Sequence, residues 1–253
     1  MKMNNGTNYK LTISYDGKAY DGWQKQGNTH KTIQEKIETL LSRLEDRQIE
    51  IHGAGRTDAG VHAKGQVCSV NLYKKWGEEA LLEAMNEYLP QDIAVVKVEK
   101  AEERFHARLS ATAKTYKYRI NNSGMKNVFD RNYVYTVKEK LNIEKMQQAT
   151  TYLIGTHDFK AFCANKHMKK STVRTIYNIQ IENIKGEIVL TFYGNGFLYN
   201  MIRIITGTLI EVGKGGREPS AMIEILNSKN RQNAGFTAPP DGLILWNVEY
   251  SKL

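Results

Sequence analysis

The spacing of apolar positions switches along the chain between a period of two and a helical period, and those switches predict the elements. Residues 9–15 (YKLTISY) alternate and are rich in β-formers, which predicts a strand. Ile33, Ile37, Leu40, Leu41 and Leu44 then recur at helical spacing. Thr32 precedes them as an N-cap, with Glu35 placed to complete a capping box. Short strands are expected at residues 49–52 and 66–73, and a helix at residues 78–88 on Leu81, Leu82, Met85 and Leu89. Pro90 stops that helix, and residues 93–99 form the next strand. The first half therefore reads strand, helix, strand, strand, helix, strand.

From Ala113 the string AKTYKYRI alternates, placing Tyr116, Tyr118 and Ile120 on one face and Thr115, Lys117 and Arg119 on the other. Residues 128–137 extend the β region. Asn142 caps a helix carrying Ile143, Met146, Ala149 and Leu153, which residues 155–159 end. Strands at residues 173–184 and 187–193 should pair as a hairpin across Lys185 and Gly186. Residues 197–212 are apolar almost all round and predict a buried helix. Pro219 opens a last short helix with Met222, Ile223 and Leu226 inward, and Ile244, Trp246, Val248 and Tyr250 alternate in a final strand. The second half repeats the mix of the first, so the fold class expected is α+β, with two related halves at residues 1–108 and 109–253 and no low-complexity linker.

Arg203 interrupts the apolar helix, on the side of Tyr199, Asn200, Thr206 and Gly207. A guanidinium near a core needs a carboxylate partner, because an unpaired buried charge costs several kcal/mol or more. Gly207, one turn further on, would let another backbone come close.

Charge narrows the function. Lys and Arg number 36 against 27 Asp and Glu, a net charge of +9, which is an argument for an anionic partner: nucleic acid first, an anionic membrane surface second. No stretch is long and apolar enough for a transmembrane helix, and the start MKMNNGTNYK lacks the apolar centre of a signal peptide. Cys68 and Cys163 form no metal-ligand spacing, so the default setting is soluble, reducing and cytoplasmic. A membrane-surface protein would want a basic amphipathic helix, and none is evident.

The chemistry-bearing stretch is GAGRTDAGVHA at residues 53–63. Its glycines allow a sharp turn, and Asp58 beside Arg56 reads as a carboxylate presented rather than packed. A polar surface turn is the plainer alternative. Residues 16–26 (DGKAYDGWQKQ) bracket aromatics expected to be exposed with two Asp/Gly turns, either to contact RNA bases or to fold as a hairpin. Rival motifs fail on spacing: Asp58 stands where a dinucleotide fingerprint needs its third glycine, no phosphate-loop string occurs, and an aspartic protease needs two carboxylates. The histidines form no ligand pair, so no metal is implied. Residues 166–170 (KHMKK) are a basic loop, for which a solvated charge run is the plain reading.

As whole strings, GAGRTDAGVHA, YDGKAYDGWQKQ, TIQEKIETLL, the FHARLSATAKTYKY stretch from Phe105, GTHDFKAF, FLYNMIR and TAPPDGLIL resemble the motifs of the TruA family of tRNA pseudouridine synthases, over about Tyr9 to Tyr250. The resemblance implies two ferredoxin-like α/β subdomains sharing an extended, mostly antiparallel sheet. It implies that Asp58 is the nucleophile, that Tyr116 stacks on the target uracil and takes part in proton transfer, that Arg203 pairs with Asp58, and that Arg56 helps to flip the nucleotide and hold its place. It also implies a homodimer acting without cofactor on uridines of the tRNA anticodon arm, although some relatives act on ribosomal RNA. Phe236 departs from the polar or small residue that many relatives carry, in the loop before the last strand. The rival from another class is a catalytically silent RNA-binding module, for which basic charge and aromatics would suffice.

Overall fold

The computed structural model describes residues 6–251, so the first five residues of MKMNNGTNYK lie outside the described part. The chain forms two compact units, Met1–Thr112 with Leu245–Leu253, and Ala113–Ile244. Each is α+β.

Unit 1 runs β1 (Thr7–Tyr15), α1 (Ile33–Glu45), β2 (His52–Gly53), β3 (His62–Leu72), α2 (Glu78–Tyr88) and β4 (Ile93–Lys100). β1 lies between β3 and β4, antiparallel to both, with Leu11 opposite Cys68 on one side and Val98 on the other. β2 pairs with the far side of β3. This β-α-β-β-α-β order, with strands arranged 4-1-3-2, is the ferredoxin-like pattern. Alternation in β1 buries Tyr9, Leu11, Ile13 and Tyr15, and the helices add Ile33, Ile37, Leu41, Leu81 and Met85 to that core.

Local chemistry explains the ends of α1. The Thr32 hydroxyl accepts the Glu35 N–H at 3.4 Å, while the Glu35 carboxylate turns to His30 Nδ1 at 2.8 Å, so only half of the capping box forms. At the other end Glu45 is buried, and its carboxylate accepts the N–H groups of Tyr73 (2.7 Å) and Lys74 (3.1 Å) and the Trp76 indole N–H (2.8 Å). Those donors satisfy an acid that would otherwise be costly inside. The strand expected at residues 49–52 shrinks to β2; Ile49 and Ile51 are buried without joining the ladder.

Unit 2 contains most of β5 (Ala111–Asn121), then β6 (Tyr135–Thr136), α3 (Ile143–Thr151), β7 (Gly155–Asp158), β8 (Val173–Ile184), β9 (Glu187–Gly194), α4 (Met201–Gly213), α5 (Ala221–Ser228) and the start of β10 (Leu243–Tyr250). β9 pairs antiparallel with β5 and β8, so β5, β9 and β8 repeat the places of β1, β3 and β2. β8 and β9 meet in a hairpin whose turn residues, Lys185 (φ 53°) and Gly186 (φ 85°), both take the left-handed backbone of a tight turn. Asn142 caps α3 as expected, its side chain accepting the Lys145 N–H at 2.9 Å. The expected mixture of helices and mostly antiparallel strands therefore holds in both units.

Several expectations change. Residues 128–137 supply only β6; Asn127 and Asp130 instead close a turn that leaves Phe129 94% exposed. Gly155–Asp158, expected to end a helix, is an edge strand on β8. α4 starts only at Met201, because Asn200 at φ 60° leaves the helical backbone. In α5 it is Ile225 that turns inward with Met222 and Leu226, while Ile223 is exposed. The close approach at Gly207 is present: a Cβ there would collide with the Phe236 carbonyl. Beside it, the Ala238 N–H donates to the Arg203 carbonyl at 3.0 Å and the Gly235 N–H to Thr208 Oγ1 at 2.9 Å, fastening this segment along α4.

Candidate active site

Asp58 sits in unit 1 on the loop from β2 to β3, half-buried between the exposed Ala59 and the buried Thr57, with Arg56 exposed just before them. Residues 16–26 hold this loop from the side. The Trp23 N–H donates to the Thr57 carbonyl at 3.1 Å, and the Gly60 N–H to the Tyr20 carbonyl at 3.2 Å. The Val61 N–H closes a turn on the Asp58 carbonyl at 3.1 Å. From below, Gln66 Nε2 donates to the Gly55 carbonyl at 2.9 Å, and the Tyr15 and Thr57 hydroxyls share a buried hydrogen bond of 2.7 Å. The backbone on both sides of the carboxylate is thus tied to sheet and loop, as precise chemistry requires.

Gly22 shows how closely the two loops meet. Its φ is +99°, and a Cβ there would stand 2.7 Å from the Thr57 carbonyl oxygen and 3.1 Å from the Asp58 carbonyl carbon. Only glycine accepts both that backbone and that neighbour. The loop is seated in turn on α1, whose first N–H groups (Ile33 and Gln34) donate to the Gly22 and Trp23 carbonyls at 3.2 and 3.0 Å. Those donors have no partner within the helix itself.

The aromatics of residues 16–26 are not exposed, which corrects the expectation that they could meet RNA bases. Trp23 is 1% exposed, and Tyr20 is buried with its hydroxyl donating to Asp92 Oδ1 at 2.6 Å. They are scaffold for the aspartate loop. Tyr15 belongs with them: burial pushes its hydroxyl well above the ordinary tyrosine range, against hydrogen bonds from Thr57 and Gln66 that pull it down. It remains a neutral strut at any working pH. His62 is likewise buried, its Nδ1 accepting the Gly17 N–H at 3.1 Å.

Unit 2 holds the other two expected residues. Tyr116 is buried on β5 opposite Phe192, and its ring packs edge to face with that of Phe197, the centroids 5.4 Å apart and the planes at 82°. Such an edge-to-face pair fixes a ring's orientation. Arg203, half-buried on α4, donates through Nε to the Ala238 carbonyl at 2.8 Å and through an amino group to Asn200 Oδ1 at 2.9 Å. The left-handed Asn200 that delays α4 therefore also orients the guanidinium. Tyr118 is buried close enough to feel Arg203: burial raises its hydroxyl strongly, Arg203 pulls it back, and it donates to the Pro239 carbonyl at 2.8 Å. Arg56 and Asp58 thus stand on one loop of unit 1, while in unit 2 Tyr116 meets Phe197 and Arg203 bonds Asn200, the two ends of the turn at residues 197–200.

A family model described as tRNA pseudouridine synthase matches residues 11–109 and 149–251. The chain belongs to the tRNA pseudouridine synthase family. Curated relatives match it almost end to end. A protein of Bacillus sp. (strain KSM-64) named tRNA pseudouridine synthase A is 48% identical over 96% of this chain and 99% of its own. Those named tRNA pseudouridine synthase A 2 in Bacillus cereus and Bacillus anthracis are each 45% identical over the same shares. The matched segments of the synthase family model contain Arg56, Asp58 and Arg203, whereas Tyr116 falls between them. Among the described residues no helix is long and apolar enough to cross a membrane.

Sequence reasoning misses the polar residues that brace Arg56. Its Nε donates to Gln24 Oε1 at 2.9 Å, and Gln24 leads on to Gln34 and the buried Glu38. Their only signal is membership of the strings that resemble synthase motifs; as isolated Gln and Glu residues they look like solvated surface.

Proposed function

We propose that this chain converts uridine to pseudouridine in the anticodon arm of tRNA, as a cytoplasmic homodimer and without a cofactor. Asp58 is the nucleophile. Arg203 favours its ionised form, as a nearby opposite charge does. Arg56 holds the place of the flipped nucleotide, and Tyr116 stacks on the uracil and handles the proton at C5. The reaction is an isomerisation: the bond from ribose C1′ to uracil N1 breaks, the bond from C1′ to C5 forms, C5 loses its proton and N1 gains one. No oxidant, reductant or energy source is required.

The observation that carries this reading is the aspartate loop, where a carboxylate is held on a backbone fastened on both sides, on a chain with net charge +9. Family membership supports the tRNA chemistry. The fixed orientation of the Arg203 guanidinium supports its role as a preorganised charge.

Release of tritium from RNA labelled at uracil C5 tests the reading. Wild type should release it from unmodified tRNA, and Asp58→Asn should abolish release while leaving RNA binding within a few-fold of wild type. Equal loss of binding and turnover would make Asp58 structural. Release from ribosomal RNA alone would keep the chemistry and change the substrate. Tight binding with no release from either RNA would establish a silent binding module instead.

A further inference from the structure

A run of hydrogen bonds connects a buried carboxylate to the guanidinium of Arg56, two residues before Asp58. Glu38, on the inner side of α1, is 5% exposed. Its Oε1 accepts the backbone N–H of Ile51 at 3.1 Å and the Gln34 side-chain amide at 2.8 Å. The Gln34 carbonyl oxygen accepts the backbone N–H of Lys25 at 3.0 Å and the Gln24 side-chain amide at 2.7 Å. The Gln24 carbonyl oxygen accepts Nε–H of Arg56 at 2.9 Å.

The direction of this chain is set by chemistry. A backbone N–H can only donate, so the Ile51 N–H needs an acceptor at Glu38 and the Lys25 N–H needs one at Gln34. With its oxygen committed to Lys25, Gln34 must turn its amino group to Glu38. Its oxygen then receives the amino group of Gln24, which leaves the Gln24 oxygen facing outward. Had either amide been reversed, an N–H would confront another N–H. The Lys25 ammonium, 3.6 Å from Glu38 Oε2, faces the same carboxylate from outside.

We infer that Gln24, Gln34 and Glu38 are positioning residues for Arg56: the carboxylate orients both amides so that an acceptor clamps Arg56 through Nε, and the guanidinium meets a nucleotide through donors of its terminal amino groups. Arg56 is exposed and long, and without the clamp it would sample many rotamers. Held at Nε, it presents a prealigned pair of donors to a nucleotide. This rests on the proposed role of Arg56 in holding the flipped nucleotide.

A double-mutant cycle with single-turnover pseudouridylation of a tRNA transcript tests it. Gln24→Met keeps side-chain length and removes the acceptor. It should slow wild type roughly tenfold, the scale of a hydrogen bond to a charged group, and slow Arg56→Ala less than about twofold. Urea unfolding should show Gln24→Met fully folded under the assay conditions, which separates the clamp from general damage at this half-buried site. Equal slowing by Gln24→Met in both backgrounds, or none in wild type, would overturn the inference while leaving the role of Arg56 intact. A wild-type rate for Arg56→Ala would overturn both.

Discussion

Replacing Gly22 by alanine tests the interlocking of the two loops most directly. The added Cβ would lie 2.7 Å from the Thr57 carbonyl oxygen, where ordinary contact needs about 3.4 Å, so the two must part by about 0.7 Å. The Thr57 carbonyl cannot simply retreat, since it accepts the Trp23 N–H and precedes the Asp58 peptide. A positive φ of this kind costs an L-residue about 1–2 kcal/mol, and overpacking adds about 1–3 kcal/mol. A loss of about 2–5 kcal/mol leaves a typical domain folded at 25 °C. The catalytic effect should exceed the loss of folded protein, because misplacing a reactive group by about 1 Å can cost on the order of 100-fold. Urea unfolding would measure the stability, and single-turnover tritium release under folded conditions the rate. Gly27→Ala is the control, with no neighbour within 4 Å of its Cβ and no positive φ. Expected are a rate about 10- to 100-fold down for Gly22→Ala and wild-type behaviour for Gly27→Ala. A folded Gly22→Ala enzyme at the wild-type rate would refute the claim that this contact places Asp58.

Gly207→Ala poses the same question in unit 2 with a sharper sign: alanine in a helix should stabilise by about 1 kcal/mol, yet its Cβ would run into the Phe236 carbonyl. The clash should win and lower stability by about 1–3 kcal/mol in urea unfolding; a more stable variant would mean the loop at residue 236 is not seated on α4. The buried phenols of Tyr15 and Tyr118 are raised above the ordinary value of 10.0, so their contribution is complete below that value and is lost as pH rises beyond it. Stability should therefore fall above about pH 10, with these rings ionising only on unfolding; titration of tyrosine absorbance that completes while circular dichroism stays native would contradict this.

What is legible in the sequence is whatever a single local signal determines. α2 can be read to its ends because Pro90 closes it, and the β8–β9 hairpin because Lys185 and Gly186 separate two alternating runs. The α3 cap at Asn142 follows from one side chain. Where the deciding factor is a backbone state that the residue does not advertise, the pattern misleads. Asn200 takes a left-handed conformation without being glycine, so α4 starts later than its apolar run suggests. Residues 128–137 have β-forming composition, but turns bonded between Asn127 and Asp130 and between Asp130 and Tyr133 claim its first half.

The candidate site divides along the same line. The string around Asp58 names a carboxylate on a turn, yet nothing in it says which groups hold that turn. Those groups lie at Tyr15, Tyr20, Gly22, Trp23 and Gln66, and they act through main-chain groups and buried side chains whose roles a residue pattern leaves ambiguous. Trp23 and Tyr20 look like exposed aromatics in the sequence because each stands among Asp, Gly, Gln and Lys. They are buried because the aspartate loop and the start of α1 close over that segment, an effect of tertiary structure that short-range polarity does not encode. For the same reason Gln24, Gln34 and Glu38 pass as surface. An amide acquires a direction only when backbone donors fixed by the fold, here Ile51 and Lys25, force its oxygen one way. A polar residue of this site is thus defined less by its own type than by which fixed N–H it must answer, and that can be read only after the chain has folded.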